Sequence, residues 1–235
     1  MIFHLTKFLK KIFLPIIFIF SIYSNTFSHV EHYSNYNKIE YDLYRNNNLI
    51  GFHNFDFLRS EGNLTVKSHV EFKITKLGID LYRYKAVSEE NYQNMKFLSF
   101  ESKTNQNKKE KYVNIAFDKD KNELLIDGSS YKGPASKDFI VGTWWNHEIV
   151  KAKAQISAIS GRIIKQKVTF IGKEKINING KEYQTLHFNF ASSDKDLPKE
   201  KKLNTDIWYD EKSLIWVKAA FDKTGYWEYR IKNIQ

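Results

Sequence analysis

From Lys38 onward, apolar and polar residues alternate in short runs, and this alternation predicts β-strands. Lys38–Arg45 (KIEYDLYR) sets Ile39, Tyr41 and Leu43 on one face and Glu40, Asp42 and Tyr44 on the other. Asn46-Asn47-Asn48 is a turn, because asparagine tolerates left-handed backbone angles, and Leu49–Leu58 returns as the second arm of a hairpin. Ser60-Glu61-Gly62-Asn63 turns the chain again. The clearest alternation is in Leu64–Ile74: Leu64, Val66, Ser68, Val70, Phe72 and Ile74 oppose Thr65, Lys67, His69, Glu71 and Lys73. That pattern marks a half-buried strand of an antiparallel sheet. Ile79–Ser88, Met95–Lys103, Lys111–Asp118 and Glu123–Ile126 continue the series as a meander, with polar connections at 105–109 and 118–122.

The period then breaks. Gly128–Ser136 contains Gly133-Pro134 and reads as a loop, and Lys137–Gly142 is apolar without alternation. Gly142-Thr143-Trp144-Trp145-Asn146-His147-Glu148 carries two adjacent tryptophans, with Asn146 placed to cap a short helix over His147–Lys153. Tryptophan at a strand-to-helix junction reads first as a core plug and second as part of a binding surface. A second run of strands follows: Gln155–Ile159, the Ser160-Gly161 turn, and Arg162–Ile171. Asn179-Gly180 is a strong hairpin signal that joins Glu174–Ile178 to Glu182–Ala191. Ser192–Lys202 is a charged loop, and Leu203–Tyr209, Leu214–Phe221 and Tyr226–Ile231 close the chain. About thirteen short strands and one or two short helices make this an all-β fold with minor α content. The expected architecture is a curved antiparallel meander sheet or open barrel wrapped over those helices.

Several strands are apolar on both faces: Phe52 opposes Phe55 and Phe57, Leu81 opposes Tyr82 and Tyr84, and Phe97 opposes Leu98 and Phe100. A sheet apolar on both sides needs cover on both, so a helix, a loop or a ligand must lie inside its curve. Aromatic residues make up 16% of the chain, enough to supply either a ring-packed core or a cavity lining. Phe55, Phe72, Tyr84, Phe100, Trp144, Trp145 and Trp208 are the candidate lining residues for an apolar or amphipathic ligand. Trp216 and Trp227 are expected to neighbour each other across the last hairpin.

The first residues differ from the rest. Lys7, Lys10 and Lys11 precede an apolar run, Ile12–Tyr23, and Thr26 and Ser28 are small residues suited to a cut before His29. Ser24 is a rival cut site, and an uncleaved N-terminal anchor is the other reading. The run is about a dozen residues, short of the roughly 20 needed to span a bilayer. The expected organisation is a signal peptide over 1–28, a flexible lead-in over 29–37 and a single β domain over 38–235, placing the protein in the periplasm. Without cysteine there are no disulfides, no thiolate chemistry and no acylated lipoprotein anchor. The formal charge is +10, falling to +7 once Lys7, Lys10 and Lys11 leave with the signal. A basic exported protein suits anionic head groups or acidic glycans; the abundance of Lys, Asn and Ile also suits plain codon bias. No nucleic-acid motif is present.

Tyr41-Asp42-Leu43-Tyr44-Arg45 with Ile50-Gly51, Tyr82-Arg83-Tyr84, Trp145-Asn146, Ser160-Gly161-Arg162, Ile207-Trp208-Tyr209-Asp210 and Glu228-Tyr229-Arg230 occur in an order that resembles an uncharacterised family of exported proteobacterial proteins. That family is classed only as a domain of unknown function. It is similar in outline to periplasmic carriers of lipoproteins and lipids, which implies a curved sheet over short helices. No catalytic residues come with the resemblance.

Catalytic and metal signatures are missing. His147-Glu148 begins like a zinc-protease helix, but Lys151 stands where the second histidine must be. His53, His69 and His187 fall on separate strands, and there is no G-x-S-x-G elbow or phosphate-binding glycine loop. Paired carboxylates such as Asp118 with Asp120 and Asp210 with Glu211 sit at turns. The leading expectation is a non-catalytic periplasmic domain, without cofactor or metal, that binds a lipid or other amphipathic ligand. The alternative is an envelope scaffold recruiting a protein partner through a sheet edge or the 192–202 loop; a hydrolase comes third.

Overall fold

The computed structural model describes residues 33–235. The signal-peptide reading of 1–28 and the first part of the lead-in lie outside the described residues. Among the described residues, fifteen strands form one sheet. They are β1 Lys38–Arg45, β2 Asn48–Ser60, β3 Asn63–Lys76, β4 Ile79–Gln93, β5 Lys96–Gln106, β6 Lys109–Asp118, β7 Glu123–Gly128 and β8 Lys132–Ser136 in the first run. β9 Ile140–Val141, β10 Ala154–Ile156, β11 Ile163–Ile178, β12 Lys181–Ser192, β13 Asn204–Asp210, β14 Trp216–Asp222 and β15 Tyr226–Ile234 form the second. The order across the sheet is β8-β7-β6-β5-β4-β3-β2-β1-β15-β14-β13-β12-β11-β10-β9. Two meanders therefore meet where the first strand pairs with the last, Leu43 opposite Tyr229. All pairings are antiparallel except β9 with β10.

The turns explain the meander. Asn46-Asn47, Glu61-Gly62, Leu77-Gly78, Asn94-Met95, Asn107-Lys108 and Asn179-Gly180 all have positive φ at both central residues. That is the two-residue turn whose twist matches a right-handed hairpin. The expected strands lie within a few residues of those observed, with three differences. The segment read as a loop at Gly128–Ser136 contains β8, an edge strand, where Pro134 is tolerated because its missing N–H faces no neighbour. Ile140–Val141 adds β9. The two strands read at Arg162–Ile171 and Glu174–Ile178 are one, β11, with a bulge between Phe170 and Gly172. Bulges here and at five other pairings bend the strands and tighten the sheet's curve.

The curve brings the sheet's two edges together without pairing them; the sheet stays open. The contact is made by the loop after β10 against the end of β7, the loop that follows it and Ser102 of β5. Ser130 N–H donates to the Ser160 carbonyl at 2.8 Å, and Ser102 Oγ–H donates to the Ala158 carbonyl at 2.5 Å. At the centre of this seam two glycines touch: a Cβ added at Gly128 would lie 2.7 Å from the Ser160 oxygen, and one at Gly161 would lie 3.2 Å from the Gly128 Cα.

The core lies inside the curve. Tyr41 stacks on Trp216 with ring centroids 3.8 Å apart, and its hydroxyl donates to the Trp216 carbonyl at 2.8 Å. Within the lead-in, Tyr33 is fully buried, stacked on Phe57 and edge-on to Trp145. A second apolar cluster of Phe100, Val113, Ile115, Leu124, Ile126, Val141 and Ile156 joins β5–β7 to β9 and β10 across the seam. The interior needs cover, and the segment 143–150 supplies it with a loop and a short 3-10 helix, His147–Val150. Trp216 and Trp227 are not cross-strand neighbours: Trp216 opposes Tyr209, and Trp227 opposes Phe221 and Arg45.

Candidate functional site

The inserted segment is anchored at three points. Asn146 caps the helix as expected, its Oδ1 accepting the Glu148 N–H at 3.0 Å. Gln166 Nε2 donates to the Ile149 and Ala152 carbonyls, each at 3.0 Å, holding the helix end to β11. Trp144 has φ of +63°, a strained conformation for a bulky residue. The kink lets consecutive tryptophans diverge. Trp144 lies edge-on to Trp216 and Tyr229, each 5.8 Å away, and its carbonyl accepts from the Tyr209 hydroxyl at 3.2 Å. Trp145 turns to Tyr33, Phe57 and Tyr92.

The Trp145 indole N–H donates to Glu90 Oε2 at 2.9 Å, the Thr143 hydroxyl approaches the same oxygen at 3.4 Å, and the Tyr92 hydroxyl donates to Glu90 Oε1. Glu90 is 2% exposed. Burial pushes its carboxyl up to about 7, and the donors from Tyr92, Trp145 and Thr143 only partly offset that rise. Burial, reinforced by the Glu90 charge, raises the Tyr92 phenol well above its ordinary value.

This carboxyl forms part of the floor of a cleft of about 390 Å³ beside the seam. Met95, Phe97, Leu124, Phe139, Ile140 and Val141 give it apolar walls; Asn146, Lys137, Asp138, Glu148 and Lys151 give it polar ones. The rim lysines are paired, Lys137 with Asp138 at 3.1 Å and Lys151 with Glu148 at 3.2 Å. An apolar trough ending on a buried, hydrogen-bonding carboxyl can seat an amphipathic molecule.

A second polar constellation lies on the opposite face of β11–β14. His187 has a carboxylate at each ring nitrogen: Glu174 Oε1 2.7 Å from Nδ1 and Asp206 Oδ1 3.2 Å from Nε2. The Trp208 ring stacks on His187 at 4.1 Å and is covered on its side by Lys218 Nζ at 4.7 Å. The Trp208 N–H donates to Glu174 Oε2 at 2.8 Å and, with His187, holds that carboxyl below its usual range. The imidazole is thus fully engaged within the sheet face. Among the described residues no group of three or more His, Asp or Glu is placed to hold a metal. His147 packs edge-on to Tyr209 at 4.7 Å.

The seven residues expected to line a ligand cavity are not brought to one surface. Trp145 supports the cleft floor through Glu90, and Phe100 belongs to the cluster behind the cleft's apolar wall. Phe55 and Trp144 pack around Trp216 in the core. Phe72 and Tyr84 stack on each other at 4.8 Å, with Trp227 5.2 Å from Phe72, towards the far end of the hairpins. Trp208 is on the outer face. Glu90, the group that distinguishes the cleft, was missed because Ser88-Glu89-Glu90-Asn91 reads as the end of a strand. Parity would have found it: Tyr82, Tyr84 and Ala86 point inward, so Glu90 and Tyr92 do too.

A family model matches residues 41–232, across almost all of the described chain. The chain belongs to the domain of unknown function family DUF6134. No curated protein matches it. Among solved structures it is similar to a beta-barrel-like protein of domain of unknown function DUF1849 from Brucella abortus. That likeness has 12% identity and a TM-score of 0.58, and covers 84% of this chain and 96% of the other. A DUF1329 family protein from Desulfovibrio piger aligns over 88% of this chain and 90% of its own at 8% identity, with a TM-score of 0.26. At such identities the first likeness speaks for the fold alone.

Proposed function

We propose that this DUF6134 protein is exported to the periplasm and binds an amphipathic envelope molecule in the seam cleft without turning it over. The observation that carries this reading is the cleft itself: apolar walls from Met95, Phe97, Leu124 and Phe139 converge on the buried Glu90 carboxyl. A lipid-like molecule lays its chain along the wall and offers a hydrogen-bonding head to Glu90 and Asn146. Export rests on the basic and apolar run of residues 1–28.

Native mass spectrometry of the protein purified from the periplasm tests both parts. The expected result is a chain beginning at His29 that carries a lipid-sized adduct. N-phenyl-1-naphthylamine is expected to bind the stripped protein, and Met95→Glu, at an exposed turn, to weaken it at least tenfold, a loss of ~1.4 kcal/mol. A bare protein that takes up no probe, or one that Met95→Glu leaves unaffected, contradicts the reading.

A further inference from the structure

We propose that the tip of the β3–β4 hairpin docks on an anionic lipid bilayer. The two strands outrun their neighbours. Pairing of β2 with β3 stops at Gly51 opposite Phe72, and pairing of β4 with β5 stops at Tyr84 opposite Gln106. Residues 73–83 therefore extend past the strand pairing on either side, paired with each other. Asn107 braces them at their base: its N–H donates to the Arg83 carbonyl at 2.9 Å and its Nδ2 to the Leu81 carbonyl at 3.3 Å.

This extension carries the most exposed large apolar side chain among the described residues. Leu77 is 93% exposed, Ile79 65% and Leu81 55%. The turn position itself is informative. Leu77 has φ of +51°, at the first central position of a two-residue turn. Asn46, Asn94, Asn107 and Asn179 hold that position in four of the other turns, as the backbone prefers. A leucine there is conformationally costly and, among the described residues, is left almost wholly exposed. Insertion into a hydrocarbon phase gives it a partner.

Charge and rings complete the gradient behind it. Lys73, Lys76, Arg83 and Lys85 flank the tip, Lys85 standing 3.8 Å from Glu71, and the adjoining β5–β6 turn and start of β6 add Lys108, Lys109 and Lys111 around Glu110. The acidic group on the extension, Asp80, is occupied by Arg83 and by the Thr75 hydroxyl, both at 2.6 Å. A basic collar of this kind favours anionic head groups. Further back, Phe72 stacks with Tyr82 at 5.9 Å and with Tyr84 at 4.8 Å. Tyr84 sits deeper within the curve, where burial raises its phenol, whereas Tyr82, on the extension itself, is part-exposed. Such a part-exposed ring suits the head-group level, apolar at one end and wet at the other. Apolar tip, basic collar and aromatic belt follow the order of depth in a bilayer surface. Ile79 and Glu90 lie roughly 36 Å apart along β4 at ~3.3 Å per residue. Docking thus leaves the cleft facing water, and this proposal stands apart from the ligand reading.

Co-sedimentation of the purified protein with phosphatidylcholine vesicles, with and without phosphatidylglycerol, tests it. The expected result is binding that requires phosphatidylglycerol and weakens with salt. The triple variant Leu77→Asn, Ile79→Thr, Leu81→Thr is expected to keep the wild-type circular dichroism and lose at least tenfold in partitioning. Leu77→Trp guards against a folding failure in that variant: its added fluorescence should shift to the blue on vesicles and be quenched by brominated lipid. Wild-type protein that ignores anionic vesicles overturns the proposal, as does an introduced indole that brominated lipid leaves unquenched, or a folded triple variant that binds as before. So does loss of self-association in the triple variant when the wild type does not bind vesicles, since the tip would then be a contact between copies.

Discussion

Glu90 and His53 show how single buried groups set the protein's response to pH. Folded Glu90 keeps its proton up to about 7, whereas the unfolded carboxyl releases it near 4.5. Between those values the folded state holds the extra proton, so this group makes stability fall as pH rises through the window, by about 3 kcal/mol in all. His53 works in the opposite direction. Burial draws its imidazole from 6.5 down to about 3, so the unfolded state binds the extra proton and stability falls as pH drops below 6.5. Chemical denaturation of wild type and Glu90→Gln at pH 4.5 and pH 8 separates them, because both proteins keep His53. The expected outcome is that Glu90→Gln gains about 3 kcal/mol relative to wild type at the higher pH. A constant difference would mean that Glu90 is not held neutral by the fold.

Among the elements, the hairpins were the most legible. The asparagine and glycine turns at 46–47, 61–62 and 179–180 announce themselves because few other residues accept φ above zero cheaply. The edge elements were hidden: Gly133-Pro134 conceals β8, and β9 is too short to alternate. The seam was hidden as well, since contact between Gly128 and Gly161 joins residues far apart in sequence through their lack of side chains. That contact can be tested by adding a methyl group. Gly128→Ala forces a carbonyl and a neighbouring backbone apart and is expected to destabilise by about 2 kcal/mol. Gly180→Ala, with nothing within 4 Å and φ of +83°, is expected to cost about 1 kcal/mol from backbone strain alone. Equal thermal shifts for the two would deny the seam its packing role.

At the scale of the whole molecule, the two-faced apolar strands demanded cover on both sides; the Trp144-Trp145 segment supplies it inside the curve, while Leu58, Leu81 and Ile171 stay exposed. The cleft escaped notice because its parts come from β4–β5, β7 and residues 137–152, and only the closing of the sheet assembles them. The molecule thus has two distinct ends: the seam cleft with its buried carboxyl, and the protruding β3–β4 tip. Hydrogen–deuterium exchange with and without N-phenyl-1-naphthylamine tests the cleft's role most directly. Slower exchange confined to residues 92–97 and 137–152, with 73–83 unchanged, is the result predicted for a ligand seated against Glu90. Protection centred on any other part of the sheet, or none at saturating probe, would contradict it.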